Sequence, residues 1–238
     1  MRTNLTLPTG VEERMSGWVR IQERHVGAAK AKPRPTVTLS RQFGCEGFPL
    51  ALRLQTLLGQ ALGEEWHVFD KDLIEKLAQT EHIPLQLLQH LGDSARYLEA
   101  FGFHPRGPVT SDEAFARIAV SVLHLAKEGN AIIVGRGGAI LCQKLENCFH
   151  FRLEASLDWR VASLARRMAI SPKEAAEHER AQSKLRDRFI SQHLGADLAD
   201  RTFYDAVFNN ERHSVEEIAS AILAYVQCAW KGGGTTTL

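Results

Sequence analysis

The chain has 238 residues, 44% of them apolar, with 29 basic side chains against 28 acidic ones and a formal net charge of +1. That is enough apolar material for a buried core, and it excludes a disordered chain. It also excludes the global positive field that nucleic acid or an anionic membrane selects, while leaving room for a local cationic cluster around a small anion.

Residues 1–35 read as an N-terminal extension. Val11, Met15, Trp18 and Gln22 fall near one helical face among charged neighbours. The run Ala28-Ala-Lys-Ala-Lys-Pro-Arg-Pro then breaks the helix, because each proline lacks an N–H and pushes its predecessor to extended geometry. The expectation is a short amphipathic helix and a linker, packed on the domain, on a twin subunit in a homodimer, or on a protein partner, and not on a membrane. No apolar core behind basic residues marks a signal peptide, and no run approaches the roughly 18 apolar residues of a membrane span. Cys45, Cys142, Cys148 and Cys228 form neither a CxxC pair nor a zinc-ligand spacing, so no metal site is expected from them. The expected setting is the cytoplasm, with the thiols buried or half-buried and reduced. Residues 36–230 read as one domain, and 231–238 as a disordered tail.

The domain opens on a β-branched strand, Thr36-Val-Thr-Leu39, followed by the loop Ser40-Arg-Gln-Phe-Gly-Cys-Glu-Gly47. Pro49 suits the first turn of the next helix. Leu50, Leu54, Leu57, Leu58 and Ala61 give that helix an apolar stripe, and Gly63 suits its end. Trp66-His-Val-Phe69 predicts a second strand, ending at Asp70-Lys-Asp72 before a helix that carries Leu73, Ile74 and Leu77. Pro84 to Leu91 reads as a helix, and Phe101-Gly-Phe-His-Pro-Arg-Gly-Pro108 as a mobile loop. Thr110-x-x-Glu113 is a capping-box pattern before a long helix that Gly129 ends.

Ala131-Ile-Ile-Val134 is wholly apolar, as a strand buried on both faces of a parallel sheet is, and it runs into Gly135-Arg-Gly-Gly138. A fourth strand, Cys148-Phe-His-Phe-Arg-Leu153, precedes an arginine-rich helix from Leu157 to Met168. Ser171-Pro-Lys-Glu174 combines a capping box with proline at the first helical position, and a polar helix follows to about His193. Ala206-Val-Phe208 predicts a fifth strand, and Ser214-x-x-Glu217 starts a last helix. Strands alternating with helices predict an α/β fold with a parallel five-stranded sheet, whose ligands bind beyond the carboxyl ends of the strands. The loop after strand one, Asp70 and Arg136 all fall there.

Several of these segments resemble the cytidylate-kinase-like family when taken in order. Val37-Thr-Leu-Ser-Arg-Gln-Phe-Gly44 resembles its first-strand signature, Phe69-Asp-Lys-Asp-Leu-Ile74 its second-strand motif and Ile133-Val-Gly-Arg-Gly-Gly138 its third-strand element. Phe151 to Arg167, Ile170-Ser-Pro-Lys-Glu-Ala175 and Tyr204-Asp-Ala-Val-Phe-Asn209 resemble its later elements, so the likeness spans about 36–226. The resemblance implies a P-loop nucleoside-monophosphate kinase fold with an acceptor-binding insertion and a helical lid. It implies ATP and Mg²⁺, and a pyrimidine monophosphate acceptor, CMP or dCMP.

Carried over by position, Gly44 and Gly47 would cradle donor phosphates, flanked by Ser40 and Arg41. Asp70 would lie near metal or acceptor, and Arg136 would hold the acceptor phosphate as a fork. Arg160 and Arg167 would lie near the phosphates, and Arg186 and Arg188 would be lid arginines. Read without the resemblance, Arg41 caps a loop carbonyl, Asp70 caps its helix, and Arg160, Arg166, Arg167, Arg186 and Arg188 lie on solvated faces, while Arg136, after a buried strand and in a glycine-rich turn, still points to function.

The phosphate loop departs from the family pattern. Glu46 stands where the family has a glycine and Phe48 where it has an arginine; the lysine of the general phosphate loop is absent, as it is in the family at large. A carboxylate about 4 Å from a phosphate charge costs roughly 1 kcal/mol in water and about 4 kcal/mol at an effective dielectric of 20. One expectation is that Glu46 caps the helix N-terminus and occupies its N–H groups. Two functions follow: a cytidylate-like kinase, or a kinase-fold protein with impaired catalysis that binds a nucleotide or a protein.

Overall fold

A computed structural model of the chain describes residues 34–79 and 111–230. The extension at 1–33, the helix expected at 84–91, the loop at 101–108, Thr110 of the expected capping box and the tail lie outside the described residues.

Five strands form one parallel sheet in the order β2-β3-β1-β4-β5: β1 (Thr36–Arg41), β2 (His67–Phe69), β3 (Ala131–Val134), β4 (Cys148–Glu154) and β5 (Ala206–Asn209). The first strand is central. Leu39 pairs with Val134 on one side and with Phe151 on the other. The chain therefore goes first to the β2 edge, returns to place β3 beside β1, and then adds β4 and β5 on the other side, so the loops after β1 and β3 lie next to each other. In such sheets the crevice at this point is where ligands bind.

Seven helices are described: α1 (Gly47–Leu62), α2 (Lys71–Gln79), α3 (Ser111–Glu128), α4 (Gly138–Leu141), α5 (Leu157–Met168), α6 (Pro172–Leu194) and α7 (Val215–Ala229). The alternation of side chains along each strand splits the core in two. On one face Ile132, Val134, Val37 and Leu39 meet Leu50, Leu54 and Leu58 of α1 and Ile218 and Ile222 of α7. On the other, Ala131 and Ile133 meet α2, α3 and α4 and the end of α6 through Ile190 and Leu194. At roughly 1.5–3 kcal/mol per fully buried large aliphatic side chain, the two layers anchor the strand ends from both faces.

Local signals set most helix ends. Gly63 stops α1 in a left-handed conformation, φ +70°. Ser171 and Ser214 each form a capping box, with Glu174 and Glu217 reaching back to the cap N–H. Such caps contribute about 1 kcal/mol each. The four-residue helix α4 and a 3₁₀ turn at Arg201–Phe203 carry no comparable pattern in sequence. Of the four cysteines, Cys45, Cys142 and Cys148 are buried and Cys228 is exposed, all as thiols. No described helix is long and apolar enough to cross a membrane.

Candidate functional site

A cleft of about 460 Å³ opens at the carboxyl ends of β1 and β3 and is walled on its far side by α6. Ser40 and Arg41 enter it from β1, Arg136 from the turn after β3, Lys71 and Glu75 from α2, and Arg186 and Phe189 from α6. Segments about 150 residues apart in sequence thus meet because the two strands are neighbours and α6 packs back over them.

Arg136 is the strained residue of this site. Its φ is +52°, between Gly135 at +79° and Gly137 at +70°. Left-handed backbone is costly for a residue with a Cβ, on the order of 1 kcal/mol, and persists where the surroundings impose it. The guanidinium pairs with Glu75 and lies over the Phe189 ring, 5.0 Å from its centroid. Burial lowers its pKa, partly offset by Glu75 and Asp72. The fork is held on one side by a carboxylate and on one face by an aromatic ring.

Arg41 threads between the two turns. Its Cδ would lie 3.2 Å from a Cβ built on Gly47, and its Nη1 would collide with one built on Gly135. Glycine at both positions leaves this side chain its room. Its pKa is pushed down to about 10, first by burial and then by Arg186 and Arg136, against the attraction of Asp70. Arg186 and Arg136 thus both oppose the charge of Arg41, an arrangement that an anion relieves.

The loop at 42–46 is bound within the protein. The N–H groups of Gln42, Cys45 and Glu46 donate to Leu153 O, Gln42 O and Asn210 Oδ1 at 3.0, 3.2 and 2.7 Å. Three arginines hold its carbonyls: Arg186 donates to Arg41 O (2.5 Å), Arg160 to Phe43 O (3.0 Å) and Arg167 to Gly44 O (2.6 Å). Arg160 also pairs with the buried Glu179, which accepts from Ser183 Oγ at 2.7 Å. Gly44 is glycine for a packing reason: at φ +98° a Cβ would lie 2.6 Å from Arg160 Cβ.

The expectation that Glu46 caps α1 is corrected. Its carboxylate makes no cap bond and faces Arg166 at 3.8 Å; the third helical residue is Pro49, which has no N–H to offer it, and the Glu46 N–H itself is taken by Asn210. Among the expected site residues, Ser40, Arg41, Arg136 and Arg186 come together in the cleft. Gly44 and Gly47 stay in the neighbouring loop, and Arg160 and Arg167 meet loop carbonyls. Asp70 accepts the Leu73 N–H at the start of α2 (3.0 Å). Arg188 is exposed and does not line the cleft.

Glu75, Phe189, Glu179 and Arg152 were not expected. Arg152 is 4% exposed on β4, bonded to Glu154 Oε1 at 2.7 Å and to Ser40 Oγ at 3.3 Å, with Tyr204 beneath it. A charged residue inside Phe149-His-Phe-Arg-Leu153 was a readable signal. Glu75, Glu179 and Phe189 carry none, since helical glutamates and phenylalanines are ordinary.

The donor set suits phosphate oxygens, which guanidinium forks recognise bidentately. It offers less to Mg²⁺. Ser40 Oγ is engaged by Arg152 and Tyr204, Glu46 faces Arg166, and Phe48 packs against the α1 core. Among the described residues no group of three or more His, Cys, Asp or Glu could hold a metal ion.

One solved structure shares the fold. A protein from Eubacterium ventriosum superposes with a TM-score of 0.65 at 17% identity, over 82% of this chain and 99% of its own. A gluconokinase from Sinorhizobium meliloti overlaps more loosely, with a TM-score of 0.41 at 13% identity over 83% of this chain and 95% of its own. A comparison with curated proteins found no match. The sequence model of the cytidylate kinase-like family matches residues 36–212. With that match, on a five-stranded parallel sheet flanked by helices, the chain belongs to the cytidylate kinase-like family.

Proposed function

We propose that the protein is a nucleotide kinase of the cytidylate type, passing the γ-phosphate of ATP to a pyrimidine nucleoside monophosphate, CMP or dCMP. The observation that carries this reading is the convergence of Arg41, Arg136 and Arg186 on one cleft, where each opposes the charge of Arg41 or adds to the field around it. A dianionic phosphate placed among them removes that repulsion. Arg136, oriented by Glu75 and Phe189, supplies the fork. The apolar wall of Ile140, Leu185 and Phe189 suits a base or ribose beside the charged end.

Phosphoryl transfer asks the protein mainly for positioning and charge neutralisation. ATP with its Mg²⁺ supplies the phosphoryl group. The residues of this chain would hold the acceptor phosphate, neutralise its charge and, through α6, cover the cleft from water.

A second reading, binding without transfer, is favoured by one specific feature. The loop N–H groups of Gln42, Cys45 and Glu46 already have partners, and Phe48 and Glu46 stand where cationic and small residues would serve a triphosphate. Thermal unfolding of the purified protein with ATP–Mg²⁺ and with each monophosphate separates the two. A ligand that binds only the native state raises the midpoint through RT ln(1 + [L]/Kd). Shifts with both ATP and one monophosphate support the kinase. A shift with a monophosphate alone supports binding without transfer. No shift at millimolar ligand overturns both.

A further inference from the structure

Two of the three arginines on α5, Arg160 and Arg167, sit where ligands of donor phosphates would be expected, yet both donate to protein carbonyls. Arg160 holds Phe43 O at 3.0 Å and Arg167 holds Gly44 O at 2.6 Å. A peptide unit is planar, so its C=O and the following N–H point in opposite directions. Fixing the carbonyls of Phe43 and Gly44 therefore fixes the directions of the Gly44 and Cys45 N–H groups. The Cys45 N–H closes the loop on Gln42 O at 3.2 Å, and the Gly44 N–H lies in the strand-to-helix turn before α1, where an N–H of fixed direction can serve an anion site.

Arg160 is itself fixed. Glu179 of α6 is 6% exposed and pairs with its Nη1, and Ser183 Oγ donates to the same carboxylate oxygen at 2.7 Å. Arg160 Nε donates to Ala155 O at 3.3 Å. One residue before Glu179 on the same helix, His178 packs edge-on against Phe43, with ring centroids 5.3 Å apart. A buried carboxylate therefore ties α6 to the loop through one guanidinium. A lone surface pair would contribute almost nothing. This pair is buried, and its guanidinium also satisfies two backbone carbonyls.

We propose that Glu179 and Arg160 form a positioning pair for the loop at 43–45, with Arg167 as its second support, and that neither arginine is a phosphate ligand. The inference rests on the nucleotide reading above only for its functional consequence. The pair holds two peptide planes, and through them the donor side of the site depends on α6. The acceptor side, centred on Arg136, meets α6 through Phe189 and Arg186 and not through this pair.

Two variants test this, Glu179→Gln and Arg160→Lys, each with two measurements. In titration calorimetry with ATP–Mg²⁺ and separately with CMP, both variants are expected to weaken ATP at least tenfold while CMP stays within twofold. A loss of fold would weaken both ligands together. In amide hydrogen exchange, Gly44 and Cys45 are expected to exchange at least tenfold faster, with the strand amides of β1 and β3 unchanged.

Unchanged ATP affinity with unchanged loop exchange overturns the positioning role. So does an equal loss of both ligands. A wild-type protein that binds neither nucleotide overturns the proposed function instead, and the exchange measurement then decides by itself whether the pair holds the loop.

Discussion

Two strand-to-helix turns lie side by side at the top of the sheet, and they have diverged. The turn after β1 is knitted into the protein: three of its N–H groups have internal partners, and arginines hold the carbonyls of Arg41, Phe43 and Gly44. The turn after β3 stays strained. Three successive residues are left-handed, and a non-glycine among them projects a guanidinium into the cleft. Satisfied hydrogen bonds make a stable, quiet loop, whereas strain held in place by neighbours marks a residue positioned for a ligand. In this chain the recognisable signature is at the first turn, and the more function-like geometry is at the second.

The sharpest way to break the comparison is Arg136→Ala. Removing a held, buried guanidinium from an anion site costs about 3 kcal/mol, so monophosphate affinity should fall roughly 100-fold. Calorimetric titration checks it, and an unchanged Kd would move the site elsewhere.

The glycines of the two turns should then behave differently. Gly44→Ala meets the Cβ and backbone of Arg160 at positive φ, so it should lower folding stability by about 2–3 kcal/mol in urea unfolding. Gly135→Ala meets the end of the Arg41 side chain, which can move, so it should lower stability by about 1 kcal/mol and weaken anion binding more than folding.

Arg41→Met removes the charge that both turns enclose. A base whose pKa is depressed in the folded chain opposes folding wherever it is charged there. The opposition is complete below about pH 10 and fades as pH rises past that value. The variant should therefore be more stable at neutral pH, on the order of 1–2 kcal/mol, while losing phosphate binding. A midpoint that falls instead would show that Arg41 serves structure first. The smallest expected effect is that of Glu46→Gln. Removing one carboxylate near the loop should tighten ATP by about 1 kcal/mol, or roughly fivefold, since Arg166 beside it is largely exposed and screens weakly.

Much of the fold was legible locally. The wholly apolar Ala131–Val134, the leucine stripe after Pro49 and the serine–glutamate pairs at Ser171 and Ser214 each gave the expected element. Arg136 stood out because it follows a buried strand inside a run of glycines. The partners of the site residues were not legible. Glu75, Glu179 and Phe189 look like any helical residue until the sheet order brings α2, α5 and α6 to the same loops. Arg160 and Arg167 show the same limit, since an arginine beside a phosphate loop in sequence can face the ligand or the loop's own carbonyls.

The sequence by itself determined where the strands and helices lie, which turns reach the ligand edge and which residue types are available there. Those depend on periodicity, capping and chain order, all local. Only the tertiary structure decided which charges meet. Burial, the left-handed backbone at Arg136 and the internal bonds of the 42–46 loop arise from groups far apart in the chain, and their energies exist only once the neighbouring strands set the distances.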